Sequence, residues 1–185
     1  RCVVRGMSAS SLNAVSRPEL MAQVYVSVGS NIDRERNLGA ALDALTELYG
    51  ELQLSSVYES DAVGFDSEPF YNLVLGFTTD QTPQAVQAEL HHIEDHLGRL
   101  RTGALAARTL DLDLLLYDDL VMSEGKLVLP REDITRYAFV LGPLAEIAAT
   151  ARHPVSGVSY ADMWAAFDDS KQPLTRINWP PSGGS

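Results

Sequence analysis

The stretch that decides the fold of this chain reads Arg108-Thr109-Leu110-Asp111-Leu112-Asp113-Leu114-Leu115-Leu116. Polar and apolar side chains alternate along it, which is typical of a β-strand whose two faces meet different surroundings. Asp111 and Asp113 are therefore predicted to project from one face, and the leucines beside and between them from the other. One face would pack in the core, and the other would present two carboxylates.

The spacing of the two aspartates suits a metal site. At ~3.3 Å per residue their α-carbons lie ~6.6 Å apart, so both carboxylates can converge on one cation or on a pair of cations. The alternative is an edge strand whose solvent face carries two acids. Repulsion does not exclude it, because two charges at that distance cost only ~0.6 kcal/mol in water and ~2.5 kcal/mol at an effective dielectric of roughly 20.

Three arginines precede the aspartates within ten residues, namely Arg99, Arg101 and Arg108. Guanidinium groups suit phosphate oxygens, because their planar donors bind in pairs and stay charged. The arginines could instead form salt bridges with the aspartates and leave a near-neutral surface patch. The functional interpretation is that the aspartates hold Mg²⁺, whose charge bridges phosphates clamped by the arginines, as in transfer from a nucleoside triphosphate.

Composition restricts the class of protein. The chain has 185 residues, 45% of them apolar, and a net charge of −11 with a pI near 4.6. Such acidity argues against a nucleic-acid or anionic-membrane partner, since both require a basic surface. The single cysteine, Cys2, excludes an intramolecular disulfide and fits a reducing cytoplasm. No apolar run approaches the ~18 residues of a membrane-spanning helix.

The order of predicted elements indicates one α+β domain over residues 23–179. Residues 1–22 are expected to be a disordered extension, with a transit peptide as the alternative, and residues 180–185 a disordered tail. The elements run strand, helix, strand, strand, helix, strand, which is the split βαβ order of ferredoxin-like folds. They are strands at 23–31, 52–58, 70–79 and 108–116, helices at about 33–50, 83–98, 136–150 and 160–167, and a hairpin at 120–129.

Five motifs in order give the chain a specific resemblance. They are Val26-Ser27-Val28-Gly29-Ser30-Asn31 with Asn37-Leu38, then Phe70-Tyr71-Asn72, then Glu94 with Gly98-Arg99-Leu100-Arg101, then Arg108 to Asp113, and Phe139 to Ile147. The chain resembles the 6-hydroxymethyl-7,8-dihydropterin pyrophosphokinases of folate biosynthesis over nearly all of residues 23–155. The resemblance implies a ferredoxin-like three-layer α-β-α sandwich with a central, mostly antiparallel sheet.

The resemblance also implies an activity and a set of site residues. The reaction would transfer the terminal diphosphate of ATP to the hydroxymethyl oxygen of the pterin and leave AMP. By position, Asp111 and Asp113 would bind two Mg²⁺, and Arg99, Arg101 and Arg108 would hold the triphosphate. The pterin ring would lie between Phe70 and Phe139, with Asn72 reading its polar edge and the backbone near Val63 completing the pocket. A flat polar heterocycle suits two aromatic faces and an amide that donates and accepts.

The chain departs from the family pattern at several positions. The loop before Arg108 reads Ala104-Leu105-Ala106-Ala107 where relatives carry Arg-Trp-Gly-Pro, and Arg131 stands where they carry histidine. Tyr137 stands in the place of an arginine, with Arg136 one step earlier. Arg131 and Arg136 are expected to supply the missing positive charge.

Two other functions fit the same residues. One is a catalytically weak paralogue that binds a pterin or nucleotide as a regulator or partner. The other is a ferredoxin-like interaction module whose Asp-x-Asp is surface decoration. The favoured interpretation is a monomeric cytoplasmic enzyme whose partners are ATP and a reduced pterin.

Overall fold

The computed structural model describes residues 21–62, 68–102 and 110–179, with the backbone alone for residues 98–102. Its strands are β1 (Ala22–Ser30), β2 (Gln53–Leu54), β3 (Val57–Ser60), β4 (Phe70–Thr79), β5 (Asp111–Tyr117), β6 (Met122–Glu124), β7 (Leu127–Leu129) and β8 (Thr175–Ile177). Its helices are α1 (Arg34–Tyr49), α2 (Pro83–Thr102), α3 (Asp133–Arg136), α4 (Ala138–Ile147) and α5 (Tyr160–Ala166).

The central sheet has the strand order β5-β1-β4-β3-β8, and β2 pairs with β4 beside this path. All of its pairings are antiparallel. The predicted hairpin is confirmed as the separate pair β6-β7, which turns at Gly125 with φ of 58°. The α+β class and the mostly antiparallel sheet are therefore as predicted.

Two hydrophobic cores lie on opposite faces of the sheet. The first packs α1 and α2 against it through residues such as Leu38, Leu45 and Leu90, each 0% exposed. The second packs α4 and α5 against the other face through residues such as Leu144 and Tyr160. Helices on both faces of one sheet give the three-layer α-β-α sandwich expected from the sequence.

The side chains of strand β5 alternate between the two faces of the sheet as predicted, until a bulge at Leu115 interrupts the alternation. The leucines at 110, 112 and 114 are at most 3% exposed and belong to the first core. Tyr25 pairs with Leu116 and Val26 with Leu114, so Leu115 is an extra, bulged residue. Leu115 and Leu116 consequently both enter the second core, while the two aspartates keep the face they were predicted to occupy.

Some predicted boundaries were wrong. The helix predicted over 136–150 is interrupted at Tyr137, whose backbone is extended with φ of −122° and ψ of 126° between α3 and α4. Helix α1, by contrast, begins where predicted, with Asp33 at its N-cap position, although the Asp33 side chain makes no capping hydrogen bond. Strand β8 was missed, because its three residues carry no periodic pattern. Within the described ranges, no helix is long and apolar enough to cross a membrane.

Candidate active site

The strand register sets polar residues in a row across the middle of the sheet. Gly29 of β1 pairs with Asp111 of β5 on one side and with Asn72 of β4 on the other. Ser27, two residues earlier on the same face of β1, pairs with Asp113. The two carboxylates and the buried amide therefore share one face of three neighbouring strands.

A cavity of about 270 Å³ lies over this row, where the second helical layer leaves the sheet uncovered. The three strands form its floor, the end of β3 and the start of β4 form one wall, and the α3–α4 junction forms the other. Its lining residues are Ser27, Gly29, Ser60, Asp61, Ala62, Phe70, Asn72, Asp111, Asp113, Leu115, Asp133, Tyr137, Phe139 and Val140. The cavity combines apolar rings with a few convergent polar groups, as small-molecule sites do.

Asn72 is held in one orientation. Its side chain is 3% exposed, and Nδ2 donates to the Ser60 hydroxyl at 2.9 Å. A β-carbon added to Gly29 would lie 3.1 Å from the Asn72 amide oxygen. Ser60 and Gly29 thus support the predicted ligand-reading residue, and sequence analysis assigned neither a role. For Gly29 the signal was its place in the Val-Gly-Ser-Asn motif at the end of a strand.

The two predicted ring-stacking residues, Phe70 and Phe139, both line the cavity. Tyr137 contributes a third ring, which stacks on Phe139 with centroids 5.0 Å apart and planes 14° from parallel. Tyr137 lines the cavity from the extended backbone between α3 and α4. The position that departs from the family pattern is therefore part of the aromatic wall.

Arg131 lies among carboxylates at the edge of the cavity. One terminal nitrogen is 2.9 Å from Oδ1 of Asp113, and Nε is 2.7 Å from Oδ2 of Asp133. Burial opposes the charge of the guanidinium, but the neighbouring carboxylates of Asp113, Asp133 and Glu94 outweigh it and raise the pKa of Arg131 above its ordinary value. The structure thus brings Arg131 to the predicted metal residues.

Arg136 lies elsewhere. It forms a salt bridge of 2.5 Å with Glu132 along one helical turn, and its side chain is 61% exposed. It is not among the residues that line the cavity. Its expected contact with phosphate stays a prediction.

Glu94 of α2 fixes the backbone between the aspartates. Its Oε1 accepts a hydrogen bond of 2.6 Å from the N–H of Leu112. Leu112 separates Asp111 from Asp113, so this bond ties the strand that carries both carboxylates to the helix on the opposite face of the sheet.

Several predicted site residues fall outside the described part of the chain. Val63 and Arg108 lie in the undescribed ranges. Arg99 and Arg101 lie in the last turns of α2, and their side chains are not described. Their expected contacts therefore stay predictions.

The donor set fits magnesium. No group of three or more histidine, cysteine or acidic side chains in the described ranges is arranged to hold a metal. Two carboxylates on one strand face nevertheless suit Mg²⁺, which prefers oxygen and commonly uses one or two carboxylates, keeping waters and taking substrate phosphates as the other ligands. Asp111 and Asp113 are the residues that would hold it.

Comparison with known families agrees with this geometry. A sequence model of the family described as 7,8-dihydro-6-hydroxymethylpterin-pyrophosphokinase, or HPPK, matches residues 25–149. The chain belongs to this family. The match includes β4, β5, the part of β1 from residue 25 onward, and both aspartates.

Relatives of the HPPK family cover most of the chain. It is 35% identical over 155 residues to the 2-amino-4-hydroxy-6-hydroxymethyldihydropteridine pyrophosphokinase of Haemophilus influenzae, covering 82% of this chain and 96% of that protein. It is 37% identical over 128 residues to the Bacillus subtilis protein of the same name, covering 66% and 76%. A folic acid synthesis protein of Pneumocystis carinii is 31% identical over 90% of this chain, which spans only 23% of that longer protein.

Solved structures of an HPPK protein share the fold. The HPPK-DHPS protein of Plasmodium falciparum, as a triple mutant, aligns with a TM-score of 0.65 at 12% identity, covering 78% of this chain and 41% of that one. Its wild type aligns with a TM-score of 0.63 at 13% identity, covering 78% and 44%. At this identity the likeness supports the three-layer fold alone.

Proposed function

We propose that this chain catalyses the Mg²⁺-dependent transfer of diphosphate from ATP to the hydroxymethyl oxygen of 6-hydroxymethyl-7,8-dihydropterin, with release of AMP. The observation that carries the proposal is one cavity in which Asp111 and Asp113 lie beside Asn72, Phe70 and Phe139. Membership of the HPPK family and the names of its bacterial relatives support the same reaction.

The amide and the aromatic rings suit the pterin. Phe70 and Phe139 offer faces for stacking, and Asn72 can both donate and accept at the polar edge of a heterocycle. The hydrogen bond from Asn72 to Ser60 holds the amide before the ligand arrives, so little ordering entropy is lost on binding. The backbone near Val63 is proposed to complete this half of the site.

The part of the cavity that contains Asp111 and Asp113 suits a triphosphate that binds together with metal ions. Asp111 and Asp113 would hold two Mg²⁺, which supply positive charge to the phosphate oxygens when bound. Arg99, Arg101, Arg108 and Arg131 are proposed to orient the triphosphate, and Arg136 to add positive charge nearby.

Catalysis of this reaction depends mainly on how the pterin and ATP are positioned relative to each other. The pterin hydroxymethyl oxygen bonds to the β-phosphorus of ATP, and the bond from that phosphorus to the oxygen bridging the α-phosphate breaks. AMP leaves with the bridging oxygen, and the hydroxyl proton passes to solvent. The chain's part is to hold the attacking oxygen in line with the breaking bond and to exclude water from the cavity.

The test is AMP formation from ATP and Mg²⁺ by the purified chain, with and without 6-hydroxymethyl-7,8-dihydropterin. AMP that requires both the pterin and the metal would support the proposal, and its loss with EDTA and return with added Mg²⁺ would support the metal. The same sample should elute as a monomer in size-exclusion chromatography with light scattering, which the sequence predicts.

A catalytically weak paralogue is the second candidate. It is favoured by one observation, namely that Arg131 is engaged by two carboxylates rather than projecting alone into the cavity. Binding of pterin or nucleotide without any AMP release would support this candidate and contradict the first.

A further inference from the structure

Arg131 bridges two carboxylates that line the cavity. One terminal nitrogen lies 2.9 Å from Oδ1 of Asp113, and Nε lies 2.7 Å from Oδ2 of Asp133. The exposed fractions of the three side chains are 34%, 40% and 28%, so the cluster is partly shielded from water. The guanidinium carries donors on more than one nitrogen of a rigid plane, so a single arginine contacts both carboxylates at once.

We infer that Arg131 is a built-in counter-ion of Asp113, which a divalent cation must displace, so that the site takes up metal together with a triphosphate rather than metal alone. This inference rests on the proposed function, in which Asp113 is a metal ligand. It assigns Asp133 a role as well, because its carboxylate tethers Arg131 beside the metal residues.

Competition follows from the shared oxygen. A cation that coordinates Oδ1 of Asp113 meets the guanidinium already bound there, and two positive groups on one oxygen repel each other. A shift of the strand is opposed by the hydrogen bond from the Leu112 N–H, between the two aspartates, to the Glu94 carboxylate. The side chains of Asp113 and Arg131 are therefore expected to rearrange when the metal binds.

A triphosphate removes the conflict. Its oxygens offer the guanidinium charged acceptors of the geometry it prefers, and Arg131 can exchange Asp113 for phosphate while Asp133 keeps its other end in place. The guanidinium then no longer competes with the metal for Oδ1 of Asp113. Because binding free energies are linked reciprocally, metal and nucleotide should each strengthen the binding of the other.

The test measures binding of Mn²⁺ alone to the purified full chain, by the loss of the electron paramagnetic resonance signal of free Mn²⁺. Without nucleotide, Arg131→Gln should bind Mn²⁺ about tenfold more tightly than the wild type, within the range of couplings between contacting groups. Arg152→Gln is the matched control. It removes one positive charge from an exposed arginine that donates to the Gly157 carbonyl outside the cavity, and it should leave Mn²⁺ affinity unchanged.

A double-mutant cycle distinguishes direct competition for the Asp113 carboxylate from the long-range electrostatic effect of the Arg131 charge. In the Asp113→Asn background, Arg131→Gln should change Mn²⁺ affinity by less than about threefold, because the shared oxygen no longer carries charge. If Arg131→Gln raises Mn²⁺ affinity equally in both backgrounds, a long-range electrostatic effect of the arginine explains the result and the inference is wrong. If Arg131→Gln raises Mn²⁺ affinity in neither background, the inference is also wrong. AMP formation by the wild type tests the proposed reaction separately, so the two can fail independently.

Discussion

Gly29 lies opposite Asn72 in the β1–β4 register, so close that a β-carbon on Gly29 would lie 3.1 Å from the asparagine amide oxygen. A contact that short requires the neighbour to move, and the Asn72 amide is fixed on its other side by Ser60. The absence of a side chain at position 29 is therefore a condition for the orientation of the amide, and with it for the proposed recognition of the pterin.

Gly29→Ala should weaken pterin binding about tenfold, since a misplaced buried hydrogen-bonding group commonly costs ~1 to 3 kcal/mol. Fluorescence titration with the pterin measures this. Gly39→Ala is the control, because nothing lies within 4 Å of a β-carbon in that helical position. The control should keep its pterin affinity and gain ~0.5 to 1 kcal/mol of stability. Equal pterin affinity in both variants would refute the role of Gly29.

Ser60→Ala should also weaken pterin binding, by about threefold to tenfold, because Asn72 loses the acceptor that orients its amide. Affinity for ATP should not change, and calorimetric titration with each ligand separates the two effects. Ser56→Ala is the comparison variant: it removes a hydroxyl that donates to Glu146 at 2.7 Å, away from the cavity. A parallel loss of pterin affinity in the comparison variant would point to a general loss of stability instead.

Asp113→Asn should lower the rate of AMP formation by about a hundredfold or more, since it removes a proposed ligand of the Mg²⁺ that would neutralise the reacting phosphates. The fold should remain, because Asp113 is 40% exposed and a surface ion pair contributes only ~0 to 1 kcal/mol. Thermal unfolding and single-turnover kinetics measure the two quantities. Asp119→Asn, at an exposed turn position after β5, should leave both unchanged. Wild-type turnover by Asp113→Asn would remove the central claim about the metal residues.

Stability should depend on pH through His153. Burial lowers the pKa of this side chain, which is 8% exposed and accepts N–H groups of Val155 and Ser156 at its Nδ1. As pH falls below the ordinary value of ~6.5, the unfolded chain gains a proton that the folded chain resists. The contribution of His153 to stability should therefore decline from about pH 6.5 downward, by at most ~1.4 kcal/mol per pH unit.

The measurement is the free energy of unfolding in urea between about pH 5 and 7.5, compared between the wild type and His153→Gln. The variant should lose part of the pH slope. His96→Gln, at an exposed position on α2, should keep the wild-type slope. Identical slopes in all three proteins would contradict a lowered pKa at His153.

The sequence was sufficient for features that depend on local periodicity. The alternation at Asp111 to Leu114 predicted both the carboxylate face and the core face, since a strand has a period of two whatever it packs against. The helical spacing after Arg136 predicted one continuous helix, and this was wrong at Tyr137. The apolar pattern continues across the backbone break there, so the sequence pattern does not mark the break. Motif order supplied the family and with it the general position of the site.

Contacts between distant segments of the chain could not be predicted from the sequence. The hydrogen bond between Asn72 and Ser60 depends on how β3 meets β4, and the bridge from Arg131 to Asp113 crosses 18 residues. Neither pair has a spacing that a periodic pattern marks. Arg131 was expected near phosphate, but its present partners follow from the path of the chain after β7.

The bond from Leu112 to Glu94 has a consequence for solubility. Strand β5 is the terminal strand of the central sheet, and an unpaired strand border invites addition of a strand from another molecule. The Glu94 carboxylate occupies the outward N–H of Leu112 and places a negative charge where a neighbouring backbone would have to dock. The strand that carries the proposed metal residues therefore offers one fewer open backbone donor to a strand from another molecule.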